Sequence, residues 1–285
     1  MSINCYLTGG LGNQLYTWAG ATHIAIITGK ALTLHLDTGA NFGINHGSDI
    51  RALALPAGEL CRFSKGPMSK FHLHRLRKVK YFDQHSNHSQ EKVLVNSGLT
   101  RIGIKVGKNL ECIFGTHFNP DSIISLKKSG LISKIALRNP SPWYQEFLAE
   151  NNLSENIGLH LRLGNYLEYM KDALLGRDYY VKAVALARKS GGGEVFVFSD
   201  EPDKAREILG DQPGVKFVIP PYAKNDEESM FLMSNFGRLI ISNSTYSTWA
   251  GILAGESTEV FCPSEWDSFR PELKELFLPE WTQVY

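Results

Sequence analysis

The chemistry that this sequence could support begins with Arg162, which follows the apolar run Ile157–Leu161. A guanidinium at the end of a buried strand can hold a diphosphate through two parallel hydrogen bonds, and it can offset the charge that builds on a departing nucleoside diphosphate. His160 lies two residues earlier, so both side chains project to the same face if this run is a strand. His160 could therefore orient phosphates, or it could be a hydrogen-bonded histidine of the core.

Two other segments have the features of phosphate sites, because each passes from an apolar run into a helical pattern. The first is Gly9-Gly10-Leu11-Gly12-Asn13-Gln14, where glycines let the backbone turn sharply and approach a ligand. The second, Asn243-Ser244-Thr245-Tyr246-Ser247, adds hydroxyl donors to the free N–H groups and positive dipole end of a helix. Each could instead be a plain strand-to-helix turn, with Asn13 as N-cap in the first and Ser244 or Asn243 in the second.

Asp200 closes the run Val197-Phe198-Ser199-Asp200. A carboxylate there could hold ribose hydroxyls or the exocyclic amine of guanine. It could also cap a following helix, in which Pro202 would lie near the first turn. We predict no metal site, since the sequence has neither a D-x-D pair nor a cluster of His and Cys.

The elements that must position these residues follow from an alternation of short β-rich runs with helical patterns. In the second half, strands are predicted at Ile157–Leu161, Val195–Phe198, Val215–Ile219, Leu239–Ser242 and Val260–Cys262. Helices are predicted at Tyr179–Lys189, Asp203–Leu209, Asp226–Ser234 and Thr245–Leu253. Such alternation favours a parallel sheet with helices on both faces, where ligands bind beyond the carboxyl ends of the strands. Arg162, Asp200 and Asn243 follow such ends, so one edge of the sheet should collect them.

The first half opens with a strand at 3–8, a helix at 14–28 and a strand at Leu32–Asp37. Further along we predict a strand at Leu110–Phe114 and helices at 121–129 and 141–151. The polar stretch Asn151–Asn156 is typical of a linker. We therefore predict an N-terminal α/β domain over residues 1–151 and a Rossmann-like nucleotide-binding domain over residues 152–285.

Composition limits the function classes. An apolar share of 43% and a charged share of 21% are typical of a globular protein, and a formal net charge of +1 argues against a nucleic-acid partner. The four cysteines are scattered, which favours a reducing compartment. With no signal peptide and no run of about 18 apolar residues in the sequence, we predict a cytoplasmic protein.

Residues 62–80 are locally basic, with no carboxylate between Glu59 and Asp83 and with aromatic residues between the cations. This segment could make a peripheral contact with anionic lipids, or with the phosphates of a lipid-linked acceptor, at the inner face of the plasma membrane. It could equally be a solvated helix face or a loop.

In their order and spacing, four of these motifs resemble the α-1,2-fucosyltransferase family, glycosyltransferase family 11. The family patterns are GGLGNQ, H-x-R-R-x-D, FSD and NSS/T-F-S-x-W, and the resemblance extends from residue 9 to about residue 266. It implies a GT-B-like fold of two Rossmann-like domains facing a cleft. It also implies inverting transfer of L-fucose from GDP-fucose to a glycan hydroxyl, with an α-1,2 linkage in bacterial surface polysaccharide synthesis. No cofactor is implied beyond the GDP-sugar donor.

The resemblance also implies roles for individual residues. It makes Arg162 and His160 catalytic. Donor binding falls to Gly10, Gly12, Asn13 and Gln14 from the first half, and to Asp200, Asn243, Ser244, Thr245 and Ser247 from the second.

The chain departs from the H-x-R-R-x-D pattern at two positions. The second arginine is Leu163 here, and the aspartate is Asn165, which cannot take a proton as a carboxylate can. A base would then have to be sought among Glu168, Asp172, Asp200 and Glu201.

These departures keep other functions open. One is a transferase for another GDP-deoxyhexose such as GDP-colitose, and another is a non-catalytic nucleotide-binding module. A third is an NAD-type Rossmann protein, which Asp37 at the end of the second strand would suit but the glycine spacing does not.

Overall fold

The computed structural model describes residues 2–7, 9–36, 50–56, 61–64, 93–95, 98–99, 112–114, 117–164, 166–210, 213–221 and 226–285. The chain forms two compact units, Met1–Ile50 with Ala54–Ala136 and Arg51–Leu53 with Leu137–Tyr285. This division falls earlier than residue 151, where the sequence suggested a linker. The reason lies in the helix Pro142–Glu150, which packs within the second unit: Phe147 lies edge-on to Phe196, with ring centroids 5.9 Å apart.

Parallel pairing organises the first unit. The strands before residue 138 are β1 (Ser2–Leu7), β2 (Ala31–Leu36), β3 (Leu53–Ala54), β4 (Cys61–Phe63), β5 (Val93–Val95), β6 (Gly98–Leu99), β7 (Cys112–Phe114), β8 (His117–Phe118) and β9 (Ala136–Leu137). The helices are α1 (Leu11–Thr28) and α2 (Pro120–Lys128). The main sheet has five parallel strands in the order β4-β2-β1-β7-β5.

Helix α1 begins earlier than the sequence suggested. Gly10 is its N-cap, with an extended backbone and no side-chain cap, so the expectation that Asn13 caps this helix is wrong. Glycine is acceptable at an N-cap because it leaves the first N–H groups accessible to other partners. Gly12, Asn13 and Gln14 therefore lie in the first turn of α1.

The second unit is built on a six-stranded sheet in the order β12-β11-β10-β13-β14-β15, and every pair is parallel. Its strands are β10 (Ile157–Leu161), β11 (Val195–Ser199), β12 (Val215–Phe217), β13 (Arg238–Ile240), β14 (Glu259–Pro263) and β15 (Thr282–Val284). Its helices are α3 (Pro142–Glu150), α4 (Tyr166–Tyr169), α5 (Arg177–Ser190), α6 (Pro202–Leu209), α7 (Asp226–Met233) and α8 (Thr245–Leu253). The alternation predicted from the sequence is confirmed here, whereas β15 and α4 were not predicted.

Helices cover both faces of this sheet. On one side of the sheet, β10 packs with helices α5 and α6 in a single apolar cluster. The cluster includes Ile157, Leu159, Leu161, Leu163, Tyr180, Ala183, Ala187, Ala205 and Leu209. On the other face, Gly158 leaves space for Phe236: a Cβ at this position would lie 2.8 Å from the Phe236 ring. Burial on both faces explains why the strands are nearly continuous apolar runs.

Among the side chains that the structure describes, two thiols are buried, one in each unit. Cys5 is on β1 and Cys262 is on β14, and both are fully buried. Burial raises the pKa of the Cys262 thiol to about 12. Among the described residues, no helix combines the length and the apolar character needed to cross a membrane.

Candidate active site

All six parallel strands of the second sheet end at the same edge, and the candidate residues follow four of these ends. Arg162 follows β10, Asp200 follows β11, and Asn243 and Ser244 lie between β13 and α8. A fourth segment, which ends in Arg270, follows β14. Because all these strands are parallel, their carboxyl ends share one edge, which is where α/β sheets bind ligands.

Arg162 and Asp200 form an ion pair at this edge. The Arg162 guanidinium donates to Asp200 Oδ2, while Asp200 Oδ1 accepts from the Leu163 backbone N–H at 2.9 Å. The two side chains are 25% and 28% exposed, so the guanidinium can still contact a ligand. Asp200 therefore positions the Arg162 guanidinium and partly offsets its positive charge.

Gly164 makes room for this pair. Its φ of +26° lies in a region that side-chain-bearing residues rarely adopt, and a Cβ there would lie 2.3 Å from Asp200 Oδ2. Leu163, at the position of the second family arginine, is buried in the apolar cluster of α5 and α6. The backbone thus turns away from the core immediately after Leu163.

Tyr166, the first residue of α4, lies at the centre of the edge. The Arg162 guanidinium sits 5.5 Å from the centroid of the Tyr166 ring, and the Tyr166 hydroxyl donates to the Asn243 carbonyl at 3.2 Å. Burial raises the pKa of this hydroxyl, whereas Arg270 and Arg162 act to lower it. Tyr166 therefore links the end of β10 to the segment after β13.

The segment after β13 is held by its own polar groups. Ser244, one of the two N-cap candidates from the sequence, is the N-cap of α8, and its Oγ accepts from the Tyr246 N–H at 3.4 Å. Ser247 is fully buried and donates to the Ser242 and Ser244 carbonyls at 3.1 and 3.3 Å. Thr245, half-buried, is the first residue of α8. The first turn of α8 therefore offers backbone N–H groups at the edge of the sheet.

Asn243 points into the protein. Its amide nitrogen donates to the carbonyls of Ala173 and Trp266 at 2.7 and 2.6 Å, and the residue is only 2% exposed. These bonds tie the segment after β13 to the turn before α5 and to the segment after β14. The structure thus gives the Asn243 and Ser247 side chains partners within the protein, and a direct contact of either with a donor stays a prediction.

His160 is a buried, neutral histidine. Its Nδ1 lies 2.9 Å from Ser242 Oγ, and its ring packs against Tyr246 with centroids 5.3 Å apart. Burial lowers the pKa of His160 from 6.5 to about 4, although Asp200 acts in the opposite direction; Arg162 lowers it further. The ring is uncharged at neutral pH, so its geometry fits a residue that orients the Ser242 segment.

The glycine turn of the first unit is closed by the side chain of Gln14. Gly9 has a φ of +75°, and the Gln14 amide donates to the Gly9 carbonyl at 2.8 Å. The Gln14 oxygen accepts from the Ile50 N–H at 3.1 Å. Gln14 is buried and closes the turn, whereas Asn13 is half-buried. Donor contacts by Gly10, Gly12, Asn13 and Gln14 stay predictions.

Other sequence predictions fall partly outside the described residues. Asn165, Asp37 and residues 65–80 lie there, so the membrane contact proposed for 62–80 stays a prediction. Glu168 and Asp172, two base candidates, are exposed. Within the described ranges, no three His, Cys, Asp or Glu side chains are grouped to hold a metal ion.

Sequence reasoning missed Tyr166 and Arg270. Tyr166 directly follows the segment that matches H-x-R-R-x-D, but its contact with Arg162 depends on α4, a single turn too short to recognise. Arg270 ends the segment after the predicted strand Val260–Cys262, so its place at the carboxyl edge could have been inferred. What the sequence could not show is that Arg270 approaches Tyr166.

Comparison with known proteins indicates the class to which the chain is similar. Residues 144–285 match the family model described as glycosyl transferase family 11. The O-antigen biosynthesis glycosyltransferase WbnK of Escherichia coli is 25% identical over 291 residues, covering 91% of this chain and 93% of WbnK. An alpha-1,2-colitosyltransferase of Escherichia coli is 27% identical over 123 residues, covering 40% of this chain and 41% of that protein.

The fold is that of a solved fucosyltransferase. The crystal structure of NodZ from Bradyrhizobium superposes with a TM-score of 0.54 at 15% sequence identity, covering 89% of this chain and 94% of NodZ. Other NodZ crystals were soaked with GDP-fucose or co-crystallised with GDP. This chain is therefore a glycosyltransferase. Its residues 144–285 are similar to glycosyl transferase family 11.

Proposed function

We propose that this glycosyltransferase transfers L-fucose from GDP-fucose to a hydroxyl of a glycan acceptor, with inversion and an α-1,2 linkage, in the synthesis of a bacterial surface polysaccharide. The observation that carries this proposal is Arg162, held by Asp200 at the edge where α8 begins. The match of residues 144–285 to glycosyl transferase family 11 supports it, as do relatives named as an O-antigen glycosyltransferase and an α-1,2-colitosyltransferase.

Arg162 and α8 would share the charge of the leaving GDP. Transfer breaks the bond between the sugar and the β-phosphate, so negative charge grows on the phosphate oxygens. Arg162 would donate to these oxygens, and the N–H groups of the first turn of α8 would add the positive end of the helix dipole. Ser244 and Thr245 are placed to contribute at this turn, while Asn243 and Ser247 would fix its geometry. Gly10, Gly12, Asn13 and Gln14 remain our candidates for donor contacts from the first unit.

Asp200 and His160 would position other residues of the site: Asp200 would hold Arg162, and His160 would hold Ser242. Asp200 keeps the guanidinium of Arg162 in place, which argues against Asp200 as the base that removes a proton from the acceptor. His160 holds Ser242 and stays neutral. The remaining candidates for the carboxylate that accepts the acceptor's proton are Glu168, Asp172 and Glu201.

A second donor is supported by a specific observation. The relative that is 27% identical over 123 residues is named as an α-1,2-colitosyltransferase, so GDP-colitose is the alternative donor. A panel of GDP-sugars, with release of GDP as the readout, distinguishes the two transferases. Selective GDP binding with no turnover of any donor would favour the non-catalytic module instead.

Calorimetric titration without added metal tests the proposal first. GDP, UDP, ADP, CMP and NADH are titrated into the wild type, into Arg162→Ala, and into Arg188→Ala as an exposed control beside the start of β12. We expect selective GDP binding that is lost in Arg162→Ala and kept in the control. With the preferred donor, Arg162→Ala should cost about 3 kcal/mol of transition-state stabilisation or more. Tighter binding of another nucleotide, or turnover of Arg162→Ala within a few fold of wild type, would contradict the assignment.

A further inference from the structure

Arg270 ends the segment after β14 and is fixed by a buried carboxylate. Asp267 accepts from the Phe269 and Arg270 backbone N–H groups at 2.9 and 2.7 Å, which closes a tight turn. The same carboxylate accepts from Arg270 Nη2 at 2.8 Å and from Nε at 3.3 Å. The Asp267 side chain is fully buried whereas that of Arg270 is 39% exposed, so the cation is the part of this pair that meets solvent.

Arg270 lies beside the site already described. Its Nη2 lies 4.0 Å from the sulfur of Met170, the residue that follows α4, and its charge acts to lower the pKa of the Tyr166 hydroxyl, as the charge of Arg162 does. The Asn243 amide bonds the Trp266 carbonyl, which fixes the Arg270 segment against the segment that leads into α8. Arg162 and Arg270 are therefore both near α4 at one edge of the sheet.

The negative charge of a bound GDP would need cations at this edge of the sheet. The leaving GDP carries several negative charges, whereas the charge of Arg162 is partly offset by Asp200. The second arginine of the family motif is replaced by Leu163, which is buried in the apolar cluster. A second guanidinium would add N–H donors for the diphosphate oxygens, and Arg270, 39% exposed and next to the end of α4, can supply one from the segment after β14.

We propose that Arg270 binds the diphosphate of the sugar donor together with Arg162, supplying a second guanidinium from the segment after β14. This proposal rests on the proposed function, because it concerns the same donor. Asp267 is then a positioning residue, since it orients the guanidinium and touches no substrate. The competing explanation is that the Asp267–Arg270 pair only closes its turn.

The experiment measures GDP affinity by calorimetry at several salt concentrations. It uses the wild type, Arg270→Met, Arg270→Lys and the control Arg188→Met, with the unfolding temperature of each recorded. Removing one charge-assisted contact to the diphosphate should weaken GDP binding by about tenfold to a hundredfold in Arg270→Met. It should also flatten the dependence of affinity on salt, because one screened charge contact is lost. Arg270→Lys should keep that salt dependence, and Arg188→Met should match the wild type.

The outcomes separate this proposal from the proposed function. If the wild type binds no nucleoside diphosphate, the proposed function fails and this inference falls with it. If the wild type binds GDP and Arg270→Met binds it equally well, only the inference fails. A loss of affinity with an unchanged salt dependence would show that Arg270 acts through the fold of its turn, which also overturns the proposal.

Discussion

Acid should destabilise this protein through His160. Burial lowers the pKa of His160 to about 4 from an ordinary 6.5, so the folded chain holds the neutral ring where the unfolded chain binds a proton. A group with a depressed basic pKa contributes stability that is present above pH 6.5 and is lost as pH falls towards 4. The full difference of about 2.5 pKa units corresponds to roughly 3 kcal/mol. Between pH 7.5 and pH 5.0, linkage gives a loss of about 2 kcal/mol.

Urea unfolding at pH 7.5 and pH 5.0 measures this loss. The comparison is between the wild type and His160→Gln, whose amide does not titrate, because the difference between their pH responses removes the contribution of all other groups. We expect the free energy of unfolding of the wild type to fall by about 2 kcal/mol more than that of the variant. His23→Gln is the matched control, since burial lowers the pKa of His23 too but this ring is only half-buried in α1.

One result would refute the reasoning. If His160→Gln lost as much stability between the two pH values as the wild type, His160 would not be buried in its neutral form. The hydrogen bond of His160 to Ser242 would then need another explanation. A large loss of pH dependence in His23→Gln would instead place the acid-sensitive group in the first unit.

Two further substitutions test the geometry of the edge. Gly164→Ala should displace the Asp200 carboxylate and release Arg162, so we expect GDP affinity by calorimetry to fall about tenfold, as for a lost charge-assisted bond; Gly176→Ala, whose added Cβ would meet nothing within 4 Å, should bind as the wild type does. Equal binding by the Gly164 variant would mean that the pair does not depend on this close approach. Asn243→Ala should lower the free energy of unfolding in urea by about 2–4 kcal/mol, because two buried carbonyls lose their donor; an unchanged midpoint would show that the two bonds contribute little.

The sequence was informative where hydrophobic pattern and strand order decide the outcome. Strand β10 and helix α8 have the bounds that were predicted, because a buried apolar run and a capped helix each carry a local signal. The carboxyl edge also followed, since parallel strands leave no other place for the residues after them. The start of α1 was misplaced because glycine can cap a helix without a side chain to reveal it.

Contacts between distant segments could not be predicted in the same way. Arg162 and Asp200 looked like two separate ligands for a donor, and nothing in their spacing showed that they pair with each other. Asn243 looked like a phosphate ligand because asparagine is common at helix starts, yet its amide reaches two carbonyls far away in the chain. Each of these side chains has several possible partners, and only the tertiary structure selects among them.

Because Cys5 lies in the first unit and Cys262 in the second, chemical modification of these buried thiols can measure the opening of each unit separately. An alkylating reagent attacks the thiolate, which neither Cys5 nor Cys262 can present while its strand stays covered. The rate at which each cysteine is modified under native conditions therefore measures how often its sheet opens. Peptide mass spectrometry would read both rates from one sample. Equal opening free energies would mean that the two units open together in one cooperative step. Unequal values would show which unit opens more readily.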